Sequence, residues 1–114
     1  MDAEVDAVTA RRVQLLYFEG CPNHAATQEL VERVAAELGV EVEIERVEVP
    51  DADTAATLRF LGSPTVRVEG RDVEPGAEER HEYVLSCRIY RGEHGLAGQP
   101  DAAWIRAALA GDTA

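Results

Sequence analysis

The sequence predicts an α/β domain with a mixed four-stranded sheet and helices on both faces. Three observations predict it. An apolar run at residues 13–18 precedes a helical pattern and then an alternating segment at residues 40–49, which together make a β-α-β unit. A further strand opens at Pro64, where proline is tolerated as a first strand residue. The last strand, residues 83–90, follows a polar connection that permits an antiparallel pairing with the third.

The elements of the first half have clear local signals. Residues 13–18 are short and apolar, as in a buried strand. Residues 22–38 repeat apolar side chains at helical spacing, and Gly39 is the expected stop signal. Residues 40–49 alternate apolar and acidic side chains, which predicts a strand with an acidic solvent face.

The second half begins with a short helix that Asp51 or Asp53 caps. Residues 70–82 read as a polar, acidic connection and residues 91–99 as a glycine-rich loop. The strand parity between them puts one set of side chains on each face: Tyr83, Leu85, Cys87 and Ile89 against Val84, Ser86, Arg88 and Tyr90. A final helix at residues 100–110 has Trp104 as a core residue and Gly111 as its stop signal.

Length and charge restrict the function. The chain has 114 residues, enough for one domain, which we assign to residues 12–114 after a flexible acidic lead-in at residues 1–11. Its 22 acidic and 11 basic residues give a net charge of -11, which argues against nucleic-acid and anionic-membrane partners. The start lacks the pattern of a signal peptide, so we expect a cytoplasmic protein. Two cysteines in that compartment indicate reactivity or metal binding more than a structural disulfide.

Cys21 is the strongest functional signal, because it stands between the first strand and the first helix. The first amides of a helix have no intrahelical partner and carry partial positive charge. A thiolate against them is stabilised and becomes a better nucleophile or metal ligand. His24 lies one turn along, where it is expected to face Cys21 as a cation or as a proton acceptor.

The element order, the cysteine after the first strand and the proline that opens the third strand resemble the thioredoxin fold. The resemblance implies that Pro64 is cis and faces Cys21 across a groove. It also implies a substrate-binding segment Ser63-Pro64-Thr65, in which the backbone of Ser63 hydrogen-bonds an extended thiol substrate. The second cysteine of the Cys-x-x-Cys motif of that family is replaced here by His24.

Cys87 is therefore the candidate for a second sulfur. If the last strand returns antiparallel to the third, Cys87 lies near the groove of Cys21 and can act as the resolving thiol. The alternative is an inert, buried cysteine, since Cys87 shares its predicted face with Leu85 and Ile89. Cys21 acting alone, as in monothiol glutaredoxins, remains a third possibility.

A narrower resemblance rests on GCPN, GSPT and LSCR in this sequence. They are similar to short bacterial thioredoxin-like proteins catalogued as alkylmercury-lyase-related. Organomercurial lyases use two cysteines and a carboxylate, which implies Cys21 and Cys87 as sulfur ligands of mercury, with His24 in the place of the carboxylate.

We therefore expect a cytoplasmic thiol protein that performs thiol–disulfide exchange through Cys21, with His24 and Cys87 in support. Its partner is a thiol or disulfide substrate, either a protein or a small molecule, and no cofactor is expected. The alternatives are soft-metal capture between the two cysteines, with lyase chemistry as its stronger form, and a redox-inert adaptor. A zinc site that adds His81 and His94 to the cysteines is a further alternative.

Overall fold

A computed structural model of the chain describes residues 10–111. The strands and helices follow in the order β1 (Arg11–Tyr17), α1 (His24–Leu38), β2 (Val42–Glu48), α2 (Ala52–Thr57), β3 (Thr65–Val68), β4 (Arg71–Asp72), β5 (Tyr90–Gly92), β6 (Gly95–Ala97) and α3 (Ala102–Ala110), with one 3₁₀ turn at Ala77–Glu79. No helix in this part of the chain is long and apolar enough to cross a membrane. Of the predicted lead-in only Ala10 and Arg11 are described, and Arg11 already belongs to β1.

The main sheet has four strands in the order β2-β1-β3-β4. β1 runs parallel to β2 and antiparallel to β3, so that Val13 lies between Ile44 and Val68. β4 pairs antiparallel with β3 through Asp72 opposite Arg67. The central strand is thus the first strand of the chain, and β2 forms one edge.

Local signals define the helix ends. α1 ends where Gly39 adopts the left-handed conformation at φ 69°, and α3 ends in the same way at Gly111. Asp51 caps α2, because its side chain accepts the amide of Thr54 at 2.8 Å. Asp101 caps α3 in the equivalent way.

Apolar side chains cover both faces of the sheet. On one face the strand residues pack against α1 and α3, in a cluster that includes Val13, Leu15, Val31, Val34, Ile105 and Leu109. Trp104 is partly buried against this cluster. On the other face Leu16 packs with Val49, Ala55 and Phe60, and Ala55 belongs to α2. The prediction of a mixed four-stranded sheet with helices on both faces is confirmed.

The predicted last strand is wrong. Residues 84–88 do not form a strand of the main sheet. We call this segment the strap, and a single parallel bridge pairs its Cys87 with Ser63. The fourth strand is β4, inside the region predicted as a connection. The predicted loop at residues 91–99 contains the hairpin β5–β6.

From Cys87 to Tyr90 burial alternates as the parity predicts, whereas before them Val84 is exposed and Leu85 is half-buried. Arg88 and Tyr90 are buried, whereas Cys87 and Ile89 are exposed. The alternative in which Cys87 is buried is therefore wrong. The inward face carries a cation because the fold supplies carboxylates for it, a long-range contact that no local pattern encodes.

Candidate functional site

Cys21 lies in the turn between β1 and α1. It is 2% exposed, and its amide donates to the carbonyl of Phe18 at 3.0 Å. Its Sγ accepts the amide of Asn23 at 3.4 Å. Asn23 is the N-cap residue of α1, so the sulfur lies against the first free amide of the helix, as the sequence predicts. That amide is a donor that stabilises developing negative charge on sulfur.

His24, the first residue of α1, makes its contacts with two neighbouring strands. Its ring stacks on Tyr17 of β1 with centroids 4.4 Å apart, and its Nδ1 lies 2.6 Å from Nη2 of Arg46 in β2. The guanidinium of Arg46 also lies 4.6 Å over the ring of Tyr17. Because a guanidinium can only donate, Nδ1 is the acceptor in this contact. In a neutral imidazole Nδ1 is then the one acceptor nitrogen, and its lone pair already accepts from Arg46. A role for His24 as proton acceptor for Cys21 would require this contact to break, and it stays a prediction.

The Ser63–Pro64 peptide bond is cis, as the resemblance implies. Ser63 is completely buried, and its Oγ accepts the amide of Phe18 at 3.4 Å. The carbonyl of Pro64 accepts a hydrogen bond from the hydroxyl of Tyr90 at 2.5 Å. Burial raises the pKa of Tyr90, so this hydroxyl remains a donor throughout the physiological range.

The strap forms hydrogen bonds with main-chain groups of the predicted substrate-binding segment. The amide of Ser63 donates to the carbonyl of Ser86 at 2.8 Å, and the carbonyl of Ser63 accepts the amide of Arg88 at 2.8 Å. Thr65 donates its Oγ1 to the carbonyl of Gly62 at 2.6 Å and accepts Nη1 of Arg88 at 2.9 Å. The groups that the resemblance assigns to an extended substrate are thus bonded within the chain.

Arg88 holds the strap in place and is a residue that sequence reasoning missed. It is 2% exposed, and its guanidinium donates to Asp72 at 2.9 Å and to Glu74 at 2.6 Å. The guanidinium also lies 4.4 Å over the ring of Tyr90. Its Nε has no partner among residues 10–111. The signal that could have found it is the inward parity shared with Tyr90, but arginine is exposed by default.

Gly62 allows the strap to approach the backbone. Its φ is 123°, and a Cβ built there would lie 2.9 Å from Cβ of Arg88 and 3.2 Å from the carbonyl oxygen of Ser86. Real Cβ atoms essentially never come within 3.0 Å of another heavy atom, so the first of these contacts rules out a side chain at position 62 unless the strap moves. Glycine is therefore required where the loop passes the strap.

Cys87 is exposed and stands directly opposite Ser63. The Oγ of Ser63 accepts the amide of Phe18 at 3.4 Å. Phe18 in turn accepts the amide of Cys21. Contacts through Ser63 and Phe18 therefore connect the strap at Cys87 with the turn that holds Cys21.

The zinc alternative is wrong for the described residues. Between residues 10 and 111 there is no group of three or more His, Cys, Asp or Glu side chains that could hold a metal ion. His81 lies in the loop before the strap, where its Nδ1 is 3.1 Å from the hydroxyl of Tyr83. His94 is exposed in the turn of the β5–β6 hairpin. The site therefore offers two sulfurs and no further ligand from these histidines.

Comparisons of the chain with family models, with curated proteins and with solved structures find no match. The geometry around Cys21 and Cys87 is therefore the basis for assigning a function.

Proposed function

We propose that the chain is a thioredoxin-like dithiol protein that exchanges electrons with disulfides through Cys21 and Cys87. The observation that carries the proposal is the placement of Cys87 opposite Ser63. Ser63 accepts the amide of Phe18, and the carbonyl of Phe18 accepts the amide of Cys21. The bridge supplies a second thiol from the far end of the chain, where the sequence has His24 instead of a neighbouring cysteine.

Exposure assigns an order to the two sulfurs. Cys87 is exposed and Cys21 is 2% exposed, so a substrate meets Cys87 first. The thiolate of Cys87 attacks one sulfur of the substrate disulfide, forms a mixed disulfide and releases the first substrate thiolate. The thiolate of Cys21 then attacks the Cys87 sulfur, forms the Cys21–Cys87 bond and releases the second. Two electrons pass to the substrate, and the two cysteine protons end on the released thiols.

This order exchanges the roles that the sequence predicts, in which Cys21 is the attacking thiol. The amide of Asn23 at the Cys21 sulfur suits either role, because both attack and departure require thiolate character there. A dithiol or a pair of small thiols returns the protein to its reduced form by the reverse reaction.

Intact mass after exposure of the reduced protein to a low-molecular-weight disulfide tests the proposal. We expect the loss of two hydrogen atoms and no free thiol in the wild-type protein. Cys21→Ser should instead accumulate the mixed disulfide on Cys87, and Cys87→Ser should react much more slowly, since its remaining thiol is buried. A wild-type protein that stops at the mixed disulfide contradicts the proposal, because Cys21 would then fail to reach the Cys87 sulfur in the geometry that a disulfide needs.

Capture of a soft cation such as Hg(II) is a second candidate, favoured by the same pairing of two thiols without further ligands in residues 10–111. Titration of the reduced protein should then reveal one tight site that is lost in Cys21→Ser and in Cys87→Ser. Equal binding by both variants and the wild type contradicts metal capture. If neither disulfide exchange nor metal binding depends on the cysteines, the redox-inert adaptor is what remains.

A further inference from the structure

The strap runs along the loop that leads into β3 and uses the main-chain groups of that loop. The amide of Val84 donates to the carbonyl of Phe60 at 2.9 Å. Three residues after Phe60, Ser63 is bonded through both its amide and its carbonyl, to Ser86 and Arg88 of the strap. The protein's own chain thus pairs with the main chain of Phe60 and Ser63 just before Pro64.

Side chains fix the strap in this position. The buried guanidinium of Arg88 is bonded to two carboxylates and to Thr65, and the hydroxyl of Tyr90 is bonded to Pro64. Displacement of the strap would break two backbone hydrogen bonds of Ser63 and remove Arg88 from the carboxylates of Asp72 and Glu74, of which Glu74 keeps its contact with Arg80. A bound polypeptide would have to replace all of these contacts.

Extended polypeptides are recognised at a sheet edge through main-chain hydrogen bonds, with side-chain pockets added for specificity. This mode needs unpaired amides and carbonyls, and those of Ser63 are already paired. The side chain of Cys87 stays exposed while the backbone on both sides of it is bonded. A small molecule can reach its sulfur without any backbone pairing.

On the basis of the proposed function, we propose that the substrate of Cys87 is a low-molecular-weight disulfide and that the strap excludes extended polypeptides from the site. The strap occupies the place of such a substrate and carries the attacking thiol. Specificity for a disulfide substrate then comes from the shape of the surface around the Cys87 sulfur, because the neighbouring main-chain groups are already hydrogen-bonded within the protein.

The test compares two disulfides with the same leaving thiol. One is the symmetric disulfide of N-acetylcysteinamide; the other joins N-acetylcysteinamide to a short linear peptide with a central cysteine. The reduced wild-type protein should be oxidised by both at similar rates per disulfide, because the peptide gains no backbone contacts. A peptide rate about tenfold or more above the small-molecule rate would overturn the inference, since this ratio corresponds to about 1.4 kcal/mol of added contact.

Amide hydrogen exchange supplies a second readout. The amides of Ser63 and Arg88 should exchange slowly and be unchanged by excess peptide. Faster exchange on peptide addition would mean that the peptide displaces the strap, and it would overturn the inference. Arg88→Met, which frees the strap, should raise exchange at Ser63 and raise the peptide rate relative to the small-molecule rate. Arg91→Met, at an exposed position, should do neither.

The outcomes separate the two proposals. If neither disulfide oxidises the protein through its cysteines, the proposed function is refuted and the substrate class falls with it. If both react and the peptide is strongly preferred, the proposed function survives and the inference alone is refuted.

Discussion

Replacing Arg88 with methionine should destabilise the protein strongly, because it removes a buried cation that pairs with the half-buried carboxylates of Asp72 and Glu74. Removing one partner of a buried ion pair costs about 3–5 kcal/mol, since the remaining charge is left without compensation. The side chains of Asp72 and Glu74 are 13% and 17% exposed, so water reaches them in part, and Glu74 also pairs with Arg80. The expected loss is therefore at the lower end, about 3 kcal/mol, a large share of the roughly 5–15 kcal/mol that stabilises a typical domain.

Urea unfolding, followed by the fluorescence of Trp104, measures this loss. Trp104 is the chain's single tryptophan and packs against the larger core cluster. For a slope of about 2 kcal/mol per molar urea, the midpoint should fall by about 1.5 M. Arg91→Met is the matched control and should change the free energy of unfolding by no more than about 0.5 kcal/mol.

A combined variant separates lost ion pairing from lost packing. Adding Asp72→Asn and Glu74→Gln to Arg88→Met removes the uncompensated charges, so the triple variant should be more stable than Arg88→Met alone. If Arg88→Met unfolds at the same midpoint as its control, the strap is not held by these contacts, and the reasoning is refuted.

Two further substitutions test the support of the site. Gly62→Ala should destabilise the protein by about 2 kcal/mol more than Gly70→Ala, because Gly70 also has positive φ but nothing within 4 Å of its added Cβ; thermal unfolding with equal losses would contradict the close approach of the strap. Asp101→Ala should lower the free energy of unfolding by about 1–2 kcal/mol near neutral pH, because it removes the N-cap of α3. The amides of Glu93 and Ala103 lower the pKa of Asp101, so this difference should be complete above about pH 3.9 and shrink as the pH falls through the lower folded-state pKa. Urea midpoints across the acid range measure it, and a constant difference would disprove the assigned role of the carboxylate.

The helices were predictable from sequence because their signals are local. Gly39 and Gly111 end helices where expected, and Asp51 is one of the two capping residues proposed. The position of Cys21 was predictable for the same reason, since the turn between a strand and a helix places its sulfur near the first amides.

The strap was not predictable, because alternating side chains indicate an extended segment but do not show which part of the chain it pairs with. Arg88 is buried only because Asp72 and Glu74, well before it in the chain, meet it in the folded protein. The contacts of His24 are also long-range, since Arg46 comes from β2 and Tyr17 from β1. Residue spacing within α1 says nothing about either.

The acidic edge of the sheet has a consequence for self-association. β2 is an outer strand, and Glu43, Glu45 and Glu48 on it are exposed. An unpaired strand edge is a template on which a second molecule can add a strand and begin an aggregate. Like charges opposite one another disfavour such a pairing. The acidic side chains on β2 therefore disfavour an edge-to-edge pairing between two copies of this protein.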